Sequence, residues 1–140
     1  MRFPSPYHKL IMNIIIWNCR GARKPNFKDQ VRDLVQYHNP VIFVVMETRI
    51  GGDRAKEITD RIPFDEAIYT DIIGYSGGLW LLWHSDRAKV SLLSKMEQEI
   101  HVSVKVHSLN LTWLFSAIYA NPRLAERHIL WNNLSIMAEL

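Results

Sequence analysis

The fold is decided by two apolar stretches of the sequence, IIIWN at residues 14–18 and VIFVVME at residues 41–47. Runs of branched and aromatic residues that are bounded by turn-forming residues are typical of buried strands. Each run ends in a polar residue, Asn18 in the first and Glu47 in the second. Because open α/β sheets bind ligands at the ends of their strands, we expect Asn18 and Glu47 to lie side by side at one edge of a sheet.

The segment that joins the two runs has the periodicity of a helix. Gly21 and Pro25 mark a loop, and Asn39-Pro40 marks the end of the helix. Between them, the residues on one helical face are Phe27, Val31, Leu34, Val35 and His38. Strand, helix and strand in this order predict a βαβ unit.

The next part of the chain is predicted to be mainly β-structure after one short helix. Asp53 can cap that helix, which runs to about Ile62 before Pro63. Glycine-containing and polar turns then separate five predicted strands, near residues 66–70, 79–84, 88–94, 98–106 and 111–119. In the fourth, apolar and polar residues alternate, which is typical of a strand with one face in water. The fifth has apolar side chains on both faces, so we expect both to be covered.

A final apolar stripe at helical spacing predicts a helix up to the last residue. Its members are Leu124, Ile129, Leu130, Trp131, Leu134 and Met137. We expect residues 12–140 to form one partial domain and residues 1–11 to be an irregular extension. The extension is not interpreted as a secretory signal, because Asn13 interrupts the apolar stretch after it and no small-residue cleavage site follows.

The composition fits one globular domain or a large piece of one. The chain has 140 residues, of which 48% are hydrophobic and 11% aromatic, which excludes a disordered or fibrous protein. Its 17 Lys and Arg against 14 Asp and Glu give a net charge of +3, a mild bias that suits a polyanionic partner and is also common among enzymes. The single Cys19 excludes an internal disulfide and fits a reducing compartment. No segment has the length of a membrane span, so no membrane partner is expected.

Four motifs, in this order along the chain, resemble a known superfamily. They are MNIIIWNCRG at residues 12–21, Met46-Glu47-Thr48, Ser76-Gly77-Gly78-Leu79 and Tyr119-Ala120-Asn121-Pro122. From residue 12 to its end, the sequence is similar to the N-terminal part of the endonuclease/exonuclease/phosphatase superfamily. More narrowly, it resembles the apurinic-endonuclease-like domain of plant LINE-type (non-LTR) retrotransposons. Arg127 and Leu130-Trp131 follow the Asn-Pro pair as they do in that family.

The resemblance implies an α/β fold, the four-layered α/β sandwich of the DNase I-like type, in which two sheets pack together. About the first half of it would be present here, as one mixed sheet with flanking helices. The inner face of that sheet would then be left open, and soluble monomers rarely expose so large an apolar patch. We therefore expect the chain to aggregate, to associate with itself, or to pair with a partner through this face.

The resemblance also implies which residues form the site. The residue that matches Glu47 is a ligand of Mg²⁺, and the one that matches Asn18 hydrogen-bonds near the metal and the scissile phosphate. Tyr119 would donate a hydrogen bond to a phosphoryl oxygen, and Asn121 would orient it. A strand-end Glu beside an amide is a sensible half-site, since Mg²⁺ is held by one or two carboxylates together with water and phosphate.

Each of these assignments has a plainer alternative. Asn18 and Glu47 can be a turn residue and a solvated strand end, and Tyr119 can be a core aromatic. The segment Ser76-Gly77-Gly78 lacks the Gly-Lys pattern of a P-loop and is interpreted as a turn into the strand at residue 79. The basic residues of the first loop are candidates for contacts with a nucleic-acid backbone, or are simply solvated charges. They are Arg20, Arg23 and Lys24.

Two classes of function stay open. The first is a fragment of a Mg²⁺-dependent DNA endonuclease, which hydrolyses a phosphodiester by attack of water. The family's Asp-x-Asn, later Asp and Ser-Asp-His motifs have no counterpart in the 140 residues, so we expect the chain to be inactive alone. The second class is a non-catalytic retroelement remnant or a module that binds nucleic acid or protein, and a phosphatase of the same superfamily is a further alternative. A nuclear location is expected only because DNA would be the substrate.

Overall fold

The structure, a computed structural model, describes residues 13–72, 77–109 and 111–119, and the backbone of residues 131–135. Two helices and eight strands lie in these ranges. In chain order they are β1 (Ile14–Asn18), α1 (Phe27–His38), β2 (Ile42–Met46), α2 (Gly52–Thr59), β3 (Glu66–Tyr69), β4 (Leu79–Trp83), β5 (Ala88–Met96), β6 (Glu99–Val106), β7 (Leu111–Ile118) and β8 (Trp131–Ser135).

The first sheet has the strand order β1-β2-β4-β3. Strands β1 and β2 are parallel, with Asn18 opposite Met46, while β4 runs antiparallel to both of its neighbours. Every residue of β2 and β4 is buried, because these strands occupy the centre of the sheet and both of its faces are covered. The prediction that the two apolar runs are neighbouring strands is confirmed.

The two helices lie against one face of this sheet. Helix α1 ends as predicted, because Asn39 adopts a left-handed conformation (φ 47°) and its backbone N–H donates to the Val35 carbonyl. Helix α2 differs from the prediction at both ends. Its N-cap is Gly51, in extended conformation, and Asp53 lies in the first turn instead. Its last bonds tighten to i→i+3 beyond Thr59, so the regular helix ends before Ile62.

The second sheet is an antiparallel meander in the order β5-β6-β7-β8. The predicted alternation in β6 is confirmed: its four apolar residues are buried, whereas His101 and Ser103 are half-buried and Lys105 is exposed. Strand β5 carries an irregularity in register between Leu92 and Ser94. The prediction of a single mixed sheet is therefore wrong, although the α/β class is confirmed.

The two sheets pack face to face around one apolar cluster, and the helices cover a second cluster on the other side of the first sheet. The inter-sheet cluster includes Val44, Leu81, Val102 and Phe115, all almost fully buried. The helix-side cluster includes Phe27 and Val31 of α1 together with Phe43, Trp80 and Leu82 of the first sheet. The described residues thus form three layers: helices, first sheet and second sheet.

This layering corrects the expectation of an open sheet face. Residues of β4 are covered on one side by α1 and α2 and on the other by the second sheet, both from this chain. The reason for predicting self-association through that face is therefore gone. Strand β7 buries only one of its faces fully, since Leu114 and Ile118 on the other face are half-buried.

The predicted terminal helix is wrong where the structure describes it. Residues 131–135 form β8, which pairs antiparallel with β7 and sets Trp131 opposite Ile118. Two successive asparagines, which are poor helix formers, stand in this segment, and pairing with the edge of β7 overrides the helical spacing. The other members of the predicted stripe lie outside the described residues. Neither described helix has the length and apolarity needed to cross a membrane.

We expect Leu81→Ala to lower the free energy of unfolding by about 2–5 kcal/mol, because the substitution leaves a cavity between the two sheets. Leu81 is fully buried in the inter-sheet cluster. Urea denaturation followed by tryptophan fluorescence measures the change. The matched control is Leu93→Ala, whose leucine is 59% exposed, and which should stay within about 0.5 kcal/mol of wild type. Equal effects of the two substitutions would contradict the packing of the sheets.

Candidate functional site at the strand ends

The loops that follow β1 and β2 run side by side and continue the pairing of the strands. The backbone N–H of Gly21 donates to the Glu47 carbonyl at 2.8 Å, and that of Ala22 donates to the Thr48 carbonyl at 2.9 Å. Cys19 N–H donates in the same way to the Met46 carbonyl. The predicted placement of Asn18 and Glu47 at adjacent strand ends is therefore confirmed, while the roles assigned to them stay predictions.

Three residues of these loops adopt the left-handed backbone conformation that non-glycine residues rarely use. They are Arg20 (φ 55°), Glu47 (φ 57°) and Arg49 (φ 60°). Each such residue costs of the order of 1 kcal/mol and persists only where the surrounding contacts fix it. Backbone strain of this kind concentrates at functional sites, and here it sets the direction of the Glu47 and Arg49 side chains.

Two glycines hold the loop of Glu47 from the other side. The Gly78 carbonyl accepts from Thr48 N–H at 3.2 Å, and the Gly77 carbonyl accepts from Arg49 N–H at 2.8 Å. Gly78 has φ 96°, and a Cβ there would collide with Thr48 Oγ1 and lie 3.1 Å from Ile72 Cγ2. This position therefore requires glycine, and the pair leads into β4 as the sequence predicted. Ser76 lies outside the described residues.

Glu47 and Arg49 form an ion pair at the centre of the site. Glu47 Oε1 accepts from Arg49 Nη2 at 2.6 Å, with the Glu47 side chain 17% and the Arg49 side chain 47% exposed. Asn18 is exposed beside them, and its Oδ1 accepts from the Arg20 backbone N–H at 3.1 Å. The carboxylate that the sequence singled out is thus largely sheltered and already neutralised within the described part of the chain.

Tyr119 reaches the same place from the second sheet. Its backbone N–H donates to the carbonyl of Gln98, the residue just before β6, and its side chain is buried in the inter-sheet cluster. Burial raises the pKa of the Tyr119 hydroxyl, and the negative charge of Glu47 raises it further, partly offset by Arg49. Tyr119 is therefore both a core aromatic and a protonated hydroxyl in the field of Glu47. Asn121 lies outside the described residues.

Cys19 is buried beneath the two strand ends, and its thiol is expected to be unreactive. It is 1% exposed, and its Sγ lies 3.6 Å from the Glu47 carbonyl oxygen. Desolvation raises the pKa of the thiol from 9.0 to about 11, so it stays protonated at neutral pH. A protonated buried thiol is a poor nucleophile and metal ligand, which makes Cys19 a packing residue.

Beside Glu47, a cleft of about 360 Å³ opens to solvent, and we call it the strand-end cleft. Its walls carry four cationic side chains, from Arg20, Arg23, Lys24 and Arg49, with Gly21 and Thr48 between them. The structure thus brings together the three basic residues that the sequence singled out. The sequence analysis did not identify Arg49. Its side chain reaches this cleft because its backbone is left-handed, which the sequence does not show.

The fit of a divalent cation to this site depends on Glu47 alone. Among the described residues, no group of three or more His, Cys, Asp or Glu side chains is placed to share a metal ion. One carboxylate is enough for the protein's share of a Mg²⁺ site whose other ligands are water and phosphate. Arg49 now occupies that carboxylate, so a cation would have to displace its guanidinium.

No protein family's sequence profile matches the chain, and neither does any curated protein. Solved structures do match. The AP endonuclease LMAP from Leishmania major superposes with a TM-score of 0.55 and 18% identity, over 79% of this chain and 41% of that one. TDP2 from D. rerio, solved with a single-strand DNA product, gives 0.50 and 17%, over 79% and 47%. The chain therefore has a DNase I-like fold and spans less than half the length of these two proteins.

We expect Gly78→Ala to destabilise the protein more than Gly52→Ala does. Both glycines have positive φ, so alanine costs about 1–2 kcal/mol in backbone strain at either position. Only the alanine at position 78 also meets neighbours, which adds about 1–3 kcal/mol, whereas nothing lies within 4 Å of a Cβ at position 52. Thermal unfolding of the two variants measures the difference. Equal melting temperatures would show that the Thr48–Arg49 loop is not held as described.

Proposed function

We propose that the chain carries part of the active site of a DNA-directed phosphodiesterase, with Glu47 as the ligand of a catalytic Mg²⁺. The observation that carries the proposal is the meeting of three groups at one end of the two sheets. The protonated Tyr119 hydroxyl lies in the field of the Glu47 carboxylate, and Asn18 ends the strand next to that of Glu47. Arg49, which pairs with Glu47, lines a cleft with three further cationic side chains. The superposed AP endonuclease and the DNA-bound TDP2 support DNA as the substrate.

Each group has a definite task in this proposal. Glu47 would hold the cation, which when bound polarises a phosphoryl oxygen and offsets the charge that develops on it. The Asn18 amide N–H₂ is a hydrogen-bond donor that suits a phosphate oxygen. The Tyr119 hydroxyl donates in the same way, and its raised pKa keeps the proton in place at neutral and mildly alkaline pH. Asn121 is included by resemblance only, as the residue that orients the phosphate.

Arg49 has two partners in the proposal, one after the other. In the structure it neutralises Glu47, and a cation bound to that carboxylate would free the guanidinium next to the cleft that it already lines. A guanidinium binds two phosphate oxygens at once, so the released side chain would become a phosphate ligand. The ion pair therefore lowers the affinity for the cation until phosphate is present.

A non-catalytic module that binds nucleic acid is the second candidate, and one observation favours it. The four histidines that the structure describes make their contacts away from Glu47, so none of them is placed to act as a general base there. His38 ends α1, His84 lies by Asp65, His101 bonds to Ser116 and His107 bonds to Ser85. We propose that these 140 residues alone do not hydrolyse DNA, and that the site derives from a LINE-type element of a plant genome and acts in the nucleus.

We expect Mg²⁺ binding to respond in opposite directions to two substitutions in the ion pair. Glu47→Gln removes the carboxylate that we assign to the cation and should abolish binding. Arg49→Gln removes the competitor and should tighten binding about two- to fivefold, because a half-exposed ion pair contributes about 0.5–1 kcal/mol. Isothermal titration with MgCl₂ measures both.

The matched control for this titration is Glu57→Gln, which breaks the exposed pair between Glu57 and Arg54 on α2 and should leave Mg²⁺ binding unchanged. If Glu47→Gln binds Mg²⁺ as well as wild type, the assignment of Glu47 is wrong.

We expect supercoiled plasmid to stay intact when it is incubated with this chain and Mg²⁺. The physical reason is that none of the four described histidines is placed to activate water beside Glu47. Agarose electrophoresis separates nicked from supercoiled DNA. Nicking that disappears in Glu47→Gln would contradict the prediction and favour the catalytic alternative for the 140 residues alone.

A further inference from the structure

A second cleft of about 420 Å³ lies between the start of α1 and the α2 region, and we call it the helix groove. Its walls carry five cationic side chains. Arg23, Lys24 and Lys28 come from the loop after β1 and the first turn of α1, and Arg54 and Arg61 come from α2 and the turn after it. Lys28, Arg54 and Arg61 do not line the strand-end cleft.

The helix groove concentrates positive charge that the chain as a whole does not have. Five cations face a single carboxylate, Glu57, which lies 4.0 Å from Arg54. The whole chain has a net charge of only +3, so the remainder of the protein is close to neutral or slightly acidic. Elsewhere the described helices pair their charges, as in Arg32–Asp29 and Lys56–Asp60. In the groove, Lys28 and Arg61 form no ion pair with any described residue.

The two clefts share two lining residues, Arg23 and Lys24. Basic side chains line both clefts, from Arg49 in the strand-end cleft, across the loop after β1, to Arg61 in the helix groove. We propose that the helix groove binds the phosphodiester backbone of a nucleic acid, as a second segment of the path that starts in the strand-end cleft. That the nucleic acid continues from the strand-end cleft rests on the proposed function, whereas its binding in the helix groove does not.

The chemistry of the groove favours a nucleic acid over a membrane. The large apolar side chains that are exposed among the described residues, Tyr37, Leu92, Leu93 and Met96, do not line the groove. A basic surface without an apolar anchor binds a polyanion and inserts poorly into a bilayer. Lys and Arg contacts to phosphates fix position without reading bases, so binding in the groove should be independent of sequence.

The test is the salt dependence of binding to a fluorescein-labelled DNA duplex, measured by anisotropy in EDTA so that no metal contributes. The variant Lys28→Gln/Arg54→Gln/Arg61→Gln removes only charges that belong to the groove. The plot of log K against log[NaCl] should become shallower by about 2–3, since each lost phosphate contact removes about 0.9 from the slope. All three side chains are exposed. Each single variant should lower the slope by about 1, so the single variants test the proposal even if the triple variant misfolds.

The matched control is Lys89→Gln/Lys95→Gln/Lys105→Gln, which removes the same charge from exposed positions on β5 and β6. Its slope should stay that of wild type. If both triple variants lowered the slope equally, the effect would come from net charge alone, and the proposal would be wrong. Binding of polyglutamate that is tighter than that of the duplex and depends on the same three residues would also overturn it, because the groove would then suit an acidic protein. The three groove substitutions should lower the slope by the same amount in a Glu47→Gln background in EDTA, so failure of the groove and failure of the metal assignment are separable.

Discussion

The parallel pairing of β1 with β2, continued by the hydrogen bonds between their loops, is the constraint on which the site depends. Strand β2 is apolar on both faces and fully buried, so burial alone would tolerate a shift of register. The loops do not tolerate it, because Gly21 N–H and Ala22 N–H each need a specific carbonyl after Met46. A shift of one residue would break these bonds and separate Asn18 from Glu47. The register is therefore set by the polar ends of the strands, where the proposed site also lies.

The strain in these loops is compensated locally. Arg20, Glu47 and Arg49 adopt left-handed conformations at a cost, and the bonds from Thr48 and Arg49 to the Gly77–Gly78 segment hold them there. Thr48 itself is fully buried, and its hydroxyl donates to the Ile50 carbonyl. The carboxylate of Glu47 thus stands on a rigid support, as expected for a group that must meet a ligand in a defined geometry.

Local periodicity was enough to predict the elements that positions 14–46 form, and it located β5, β6 and β7 of the second sheet, but not how they assemble. The sequence of a strand does not show which strand it pairs with. The predicted strands were therefore assigned to one sheet, whereas the chain forms two. Residues 131–135 have the apolar spacing of a helix but form a strand, because they pair with the edge of β7. At the site, the sequence identified Glu47 and the basic loop. It gave no sign of Arg49, because the side chain reaches Glu47 only through a backbone conformation that arginine seldom adopts.

The electrostatics of the site make the proposed cation and phosphate dependent on each other. A divalent cation beside Glu47 would lie near the cations of the strand-end cleft, which repel it at short range in a partly buried setting. A phosphate in the cleft would reverse this, because it would neutralise Arg20, Arg23, Lys24 and Arg49 and could supply oxygen ligands to the metal. In the structure the carboxylate of Glu47 is neutralised by Arg49. On this view the excess of basic side chains suppresses metal binding by the free protein and, once the polyanion is bound, allows it.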